Sequence, residues 1–208
     1  MNEKTRQVPV SGRFHENCII INNLENDRFR EWLFMPSQIF LAEDKWWGIG
    51  GKRGTLHEGI DICVYRTEGN VTRYLSGETK VPAVFSGKVE KVIDDFLGKS
   101  VFISSDNLRN GEDRFFTLFG HINPIPDITP GAFVTEGDIV GTISDTKRTP
   151  VRPHLHISFA WISDSVPTER LDWDTLTKTD GVTLINPFEI LSMPYAIVTF
   201  IQKTPASA

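Results

Sequence analysis

Apolar and polar positions alternate along most of this 208-residue chain, a pattern that predicts a structure built mainly of strands. Glycine, proline and Asn/Asp turns separate the alternating runs at short intervals. This spacing favours a mainly β fold, an antiparallel β-sandwich or barrel-sandwich hybrid, over alternating strands and helices. The predicted strands cover residues 18–22, 59–65, 72–75, 81–93, 100–104, 115–119, 139–144 and 155–162.

Few short helices are expected beside these strands. One follows Asn186-Pro187 over residues 188–191, because proline suits the first turn of a helix. Another is predicted over residues 25–33. We expect residues 1–51 to form an N-terminal extension that packs on a central domain (52–192), followed by a C-terminal tail (193–208). Residues 163–183 are interpreted as an insertion beside the strand at 155–162.

The composition narrows the class of protein. Hydrophobic residues make up 39% of the chain and charged residues 24%, which argues against disorder. The net charge of -5 and the absence of a basic patch give no electrostatic case for binding nucleic acid or an anionic membrane. Neither a signal peptide nor an apolar run of ~18 residues for membrane insertion is visible. The compartment therefore stays open between a cytoplasmic chain, one released by lysis or another secretion route, and one exported after loss of a leader.

The histidines carry the chemical signal. His154 directly precedes the predicted strand at 155–162 and His156 lies in it, so these two side chains, two residues apart, are expected to point at the same spot. Upstream, His57 and Asp61 are four residues apart, and His121 lies between the two motifs. Two histidine nitrogens and one carboxylate oxygen are a usual ligand set for catalytic zinc, with a fourth position left for water. Two histidines then remain to move protons.

Together these motifs resemble the lysostaphin-like zinc metallopeptidases, which cut peptide cross-links in bacterial cell walls. The family pattern is H-x-x-x-D, then a histidine in a Y-x-H-L-like segment, then H-L-H. The matching segments, over roughly residues 52–192, are His57 to Asp61, Phe119-Gly120-His121-Ile122 and His154-Leu155-His156, with similar stretches at 81–89 and 131–141 and the closing Asn186-Pro187-Phe188.

The resemblance implies a zinc metallopeptidase domain over residues 52–192. It implies zinc bound by His57, Asp61 and His156, with His121 and His154 as the catalytic pair, and leaves open which of the pair is the general base. The expected reaction is metal-assisted hydrolysis of peptide bonds in peptidoglycan cross-links. Loops at 66–80, 105–113, 145–153 and 163–183 are expected to form the walls of the substrate groove.

The chain departs from the family pattern at three places. Phe119 stands where tyrosine is usual, and Ser158 replaces a common glutamate. Residues 145–153 lack the usual glycine- and serine-rich approach to H-L-H. Because no expected ligand or proton carrier is lost, these departures bear on substrate preference more than on activity.

Two other classes of protein remain open. One is a non-catalytic zinc-binding regulator or binding module of the same fold, although both His121 and His154 are present. The other is a carrier domain, since the hairpin at 131–141 is similar to those of lipoyl and biotinyl carriers. That hairpin lacks a recognisable lysine signal for modification, and a phosphocarrier has no need of an H-x-H zinc arrangement.

Overall fold

The computed structural model describes residues 8–146 and 151–199, which form two β-sheets and a few short helices. The expected mainly β, antiparallel fold is confirmed, and the two sheets do not close within the described residues. The predicted extension (1–51), loop (145–153) and tail (193–208) each lie partly outside those residues, and their boundaries stay predictions. Among the described residues, no helix has the length and apolar character needed to cross a bilayer.

The elements follow one another in a fixed order along the chain. The helices are α1 (Phe14–Ile21), α2 (Trp173–Lys178) and α3 (Pro187–Ile190), with 3₁₀ turns at Pro36–Gln38 and Thr168–Arg170. The strands are β1 (Phe29–Phe34), β2 (Ile60–Ile62), β3 (Val64–Thr67), β4 (Thr72–Tyr74), β5 (Lys80–Pro82), β6 (Gly87–Asp95), β7 (Gly98–Asn110), β8 (Asp113–Pro124), β9 (Phe133–Val134), β10 (Ile139–Ile143), β11 (Leu155–Ser163), β12 (Val182–Ile185) and β13 (Tyr195–Ile197).

The larger sheet carries the long strands and is antiparallel throughout. Its order is β12-β11-β8-β7-β6-β9, while β2 pairs with β11 and β10 pairs with both β5 and β8. A smaller sheet has the order β13-β1-β3-β4, in which only the β1–β13 pairing among those described is parallel. The chain therefore enters the larger sheet at β2 and leaves it for the smaller one at β3.

Both faces of the larger sheet are buried, which explains its long apolar strands. Phe115 and Phe119 on β8 face the main core, which also holds α1 and β1 side chains. Phe116 and Leu118 alternate with them and face a second core, closed by Leu176 of α2 and neighbouring residues of the 163–183 segment. That segment covers the sheet directly beside β11.

Two predicted elements are wrong. Residues 18–22 were expected as a strand, but residues 18–21 belong to α1 and Asn22 is its C-cap; Phe14 and Cys18 lie one helical turn apart and both are buried in the core. Residues 25–33 were expected as a helix. The chain instead turns at Arg28, where φ is +54°, and β1 starts at Phe29. Pairing with β3 and β13 outweighs the weak helical signal there.

Two predicted strands are each divided in the structure. The run 59–65 breaks at Cys63, since β2 pairs with β11 in one sheet and β3 with β1 and β4 in the other. The run 81–93 breaks after Pro82, because β5 pairs with β10 and β6 with β7. An apolar run is unchanged by such a switch of partner, so the pattern alone could not reveal it.

Gly59 allows the close contact between the approach to β2 and strand β11. A Cβ atom added at this position would lie 2.2 Å from the carbonyl oxygen of Ile157 and 2.4 Å from Oγ of Ser158. The first of these contacts is with backbone, which cannot rotate away. Steric exclusion therefore requires glycine at position 59.

We expect Gly59→Ala to lower the free energy of unfolding by about 1–3 kcal/mol, because the added methyl group must push two strands apart. Urea unfolding measures the change. Gly54→Ala is the matched control, since a Cβ there meets no heavy atom within 4 Å. Equal stability of the two variants would contradict the steric role of Gly59.

Candidate active site

The pairing of β2 with β11 brings the two sequence motifs together. Asp61 and His156 are directly opposed in the register of the two strands, and His57 lies just before β2. All three side chains are buried. Nδ1 of His156 lies 2.9 Å from Oδ1 of Asp61 and 3.1 Å from Nε2 of His57. Oδ1 of Asp61 and Nε2 of His57 are 3.3 Å apart.

The remaining ring nitrogens of these two histidines are engaged elsewhere. Nδ1 of His57 lies 3.0 Å from the carbonyl oxygen of Ile39 and must donate to it, because a carbonyl only accepts. Nε2 of His57 therefore turns a lone pair towards the cluster. Nε2 of His156 lies 2.9 Å from Oγ of Ser158. When Nε2 donates to that oxygen, Nδ1 of His156 directs a second lone pair at the cluster.

Asp61 is held by its other oxygen. The indole nitrogen of Trp46 donates to Oδ2 at 2.6 Å, and the Arg53 guanidinium lies 3.5 Å from the same atom. Burial alone would raise the pKa of Asp61, but with a proton on the neighbouring rings the charge of His57 and the hydrogen bond from His156 outweigh burial and hold this pKa well below its usual range. The carboxylate is thus ionised, with Oδ1 turned towards the histidines.

These donor atoms form a group that could hold a metal ion. Nε2 of His57, Oδ1 of Asp61 and Nδ1 of His156 all lie within 4.8 Å of one another. Two lone pairs and one anionic oxygen repel each other unless a proton or a cation lies between them. Two imidazole nitrogens and a carboxylate are also a donor set that zinc accepts.

His154 lies at the edge of this cluster. Its Nδ1 is 2.8 Å from the carbonyl oxygen of Arg152, and its Nε2 is 3.9 Å from Oδ1 of Asp61. The edge of the Trp46 ring packs against it, with the ring centroids 4.9 Å apart. Burial lowers the pKa of His154 to about 4, so the ring is neutral at pH 7.

His121 reaches the cluster from a β-bulge. Ser100 of β7 faces two residues of β8, Gly120 and His121, because the register shifts between Lys99 and Val101. His121 takes a φ of +61°, which is uncommon for a residue with a side chain. Its ring centroid lies 4.8 Å from that of His154 and 5.9 Å from that of His156.

A cavity of about 350 Å³ opens over these side chains. Aromatic side chains form much of its wall, and His121, His154 and His156 line its floor with Asp61. Trp173 of α2 packs edge-on against His156, which Gly120 permits, since a Cβ there would lie 3.1 Å from the indole. The other lining residues are Trp47, Arg53, Glu58, Asp94, Asp95, Phe96 and Val151.

The five residues predicted from the sequence are all brought together, and the fifth histidine lies apart. His15 accepts a hydrogen bond from the indole of Trp32 at 3.2 Å, outside the cavity. Cys18 and Cys63 are buried free thiols. Cys63 lies behind the cluster, where burial raises its pKa to about 12.

Sequence reasoning missed the side chains that hold the cluster in place. Trp46, Arg53, Asp95 and Trp173 are not among the residues predicted from the sequence. These residues are far in sequence from the motifs they contact, and no local pattern marks their hydrogen bonds.

The comparisons with known proteins agree with the motifs. Residues 55–168, more than half of the chain, match the sequence profile of Peptidase family M23. The chain belongs to peptidase family M23. The matched segment contains both histidine motifs, His121 and the cavity floor. M23 proteins as a family are zinc-dependent hydrolases of peptides.

Solved structures give weaker likenesses to this M23 chain. The catalytic domain of lysostaphin from Staphylococcus simulans is 16% identical, with 81% of this chain and 95% of that chain covered and a TM-score of 0.44. A mutant catalytic domain of the prophage-encoded M23 protein EnpA from Enterococcus faecalis is 22% identical, with coverages of 66% and 80% and a TM-score of 0.40. A comparison with curated protein sequences gives no significant match.

We expect Trp46→Phe to weaken zinc binding by about 10–100-fold, because Asp61 loses the N–H group that orients its carboxylate. Competition with a fluorescent zinc chelator measures the affinity. Trp32→Phe is the matched control, since it removes the same indole N–H group at His15, outside the cavity. Unchanged affinity in Trp46→Phe would show that this hydrogen bond does not orient the carboxylate for a metal.

Proposed function

We propose that this M23 protein is a zinc-dependent endopeptidase that hydrolyses peptide cross-links of peptidoglycan. In this proposal His57, Asp61 and His156 hold the zinc ion. The observation that carries it is the convergence of three buried donor atoms, each on a side chain whose outward atom is engaged by another group. Metal-binding histidines are commonly oriented by such outer hydrogen bonds.

The charge of the cluster also suits a divalent cation. Asp61 contributes one negative charge, and burial lowers the pKa of His156, so this ring is neutral at pH 7. A zinc ion bound there supplies a Lewis acid and lowers the pKa of a bound water molecule from about 15.7 towards about 7. The net charge of the filled site is positive, which favours an electron-rich carbonyl group in the substrate.

His121 and His154 are proposed as the catalytic pair. Both rings face the cavity beside the three donor atoms, and each has its Nδ1 directed away towards an acceptor. Their Nε2 atoms are then free to exchange protons with a substrate. In the neutral form one ring takes a proton from water, and the other in its protonated form donates to an oxyanion or to the leaving amine.

The substrate class follows from the family and the groove. M23 proteins act on peptides, and the aromatic wall of the cavity offers flat apolar contacts to an extended peptide backbone. The 163–183 insertion contributes Trp173 to this wall. Of the other predicted groove loops, 145–153 contributes Val151, and residues 147–150 lie outside the described residues.

We expect purified sacculi incubated with the protein to yield new free amino groups, with no new reducing sugars. Dansylation of the soluble products identifies the amino termini, and a chelator should abolish the release until zinc is restored. The His154→Ala protein, purified in parallel, controls for contaminating hydrolases. Release of sugars alone, or an intact substrate with zinc fully bound, would overturn the peptidase assignment.

Ligand and catalytic variants should fail differently. We expect His156→Ala to lose zinc and activity together, because two protein ligands hold the metal poorly. His121→Ala and His154→Ala should keep zinc and lose kcat by about 10²–10⁴-fold. The double variant should be little worse than the poorer single one, since residues that act as one unit are not additive.

Zinc content by atomic emission and initial rates on cross-linked muropeptides measure these effects. His15→Ala is the control, because it removes an imidazole outside the cavity and should change neither quantity. Full zinc occupancy in His156→Ala, or near-normal kcat in His121→Ala, would each contradict the role proposed for that residue.

A further inference from the structure

Asp95 is a buried carboxylate directly behind His121, at the end of β6. Its side chain is only 5% exposed. Oδ1 accepts the backbone N–H of Leu97 at 2.8 Å, and Oδ2 accepts the backbone N–H of His121 at 3.0 Å. The same Oδ2 atom lies 3.2 Å from Nδ1 of the His121 ring. Asp95 therefore contacts both the backbone and the ring of one residue.

Two further side chains fix the direction of the hydrogen bonds at Asp95. The indole nitrogen of Trp173 can only donate, and it lies 3.0 Å from Oγ of Ser100. Ser100 therefore uses its own proton towards Oδ2 of Asp95, at 2.7 Å. Because Ser100 and the backbone N–H of His121 both donate to Oδ2, this oxygen acts as an acceptor. The donors outweigh the effect of burial and hold the pKa of Asp95 well below its usual range.

His121 differs from His57 and His154 in the group behind its ring. Those two rings direct Nδ1 at the neutral carbonyl groups of Ile39 and Arg152. In His121, Nδ1 is buried and faces the charged oxygen of Asp95, at a short distance but with poor alignment for a hydrogen bond. A full negative charge orients an imidazole and favours the Nδ1–H tautomer more strongly than a carbonyl does.

We propose that Asp95 is a positioning residue for His121, holding the ring with its proton on Nδ1 and its Nε2 atom towards the cavity. This rests on the proposed peptidase function, in which His121 exchanges protons with the substrate through Nε2. The β-bulge opposite Ser100 contributes to this positioning. His121 has a positive φ there, and both its backbone N–H and its ring face the same carboxylate. In this proposal Asp95 acts through the His121 ring and takes no part in proton transfer itself.

The decisive variant is Asp95→Asn, which keeps the shape of the side chain and one acceptor oxygen but removes the charge and replaces the other oxygen with an NH₂ group. We expect kcat on cross-linked muropeptides to fall about ten- to a hundredfold, with KM changed less than about threefold. Zinc content should stay at the wild-type value, and the melting temperature should fall, because the new NH₂ group must face a donor that the carboxylate accepts. A purely structural role predicts this loss of stability with the kcat of the folded protein retained.

Two control variants separate charge from packing. Asp174→Asn removes the same charge on α2, where the carboxylate pairs with the exposed Lys178, and should leave kcat unchanged. Ser100→Ala removes one donor to Asp95 but leaves its charge, so its effect on kcat should be smaller than that of Asp95→Asn. A wild-type kcat in Asp95→Asn would overturn the proposal.

A second measurement does not depend on catalysis. Long-range ¹H–¹⁵N correlation spectra of the zinc-loaded protein should show the His121 proton on Nδ1, and Asp95→Asn should give a mixture of both tautomers. If the wild-type protein cleaves no peptide, the proposed function fails while the spectrum still tests Asp95. A His121 ring protonated on Nε2 in the wild-type protein would overturn the proposal by itself.

Discussion

The site depends on one strand pairing, that of β2 against β11. This pairing opposes Asp61 to His156 and so places a carboxylate and an imidazole from distant parts of the chain within 2.9 Å. The approach to β2 must pass close to the backbone of β11, and Gly59 is the residue that permits it. A small error in this pairing would move Asp61 to the wrong face, because neighbouring strand residues point to opposite sides.

Burial of several ionisable groups is costly, and the structure offsets the cost with hydrogen bonds from distinct segments. Asp61 receives one N–H group from Trp46, while His57, His154 and His156 each direct one ring nitrogen at an oxygen. Asp95 is surrounded by donors in the same way. The rings therefore have fixed orientations, which matters more for proton transfer than proximity alone.

Much of this arrangement was predictable from the sequence, and the rest depends on long-range contacts. The H-x-H and H-x-x-x-D motifs, with His121, predicted the five residues that lie together in the structure. The predicted bounds of β11 differ from the observed ones by one residue. By contrast, the helix α1 has a continuous apolar run that reads equally well as a strand. The bulge at Ser100 and the bonds of Trp46 and Asp95 leave no local pattern, because each joins segments that only the fold brings together.

The residues that hold Asp61 and His57 in place lie outside the segment that matches the family profile. Ile39, Trp46 and Arg53 all precede residue 55, where the match to the M23 profile begins, and Trp173 follows its end at residue 168. A fragment confined to the matched segment would retain every histidine and aspartate of the cluster. It would nevertheless bury Asp61 without its indole and guanidinium partners, which is unfavourable for an ionised group. The segment that the family profile matches is thus shorter than the segment that completes the environment of these side chains.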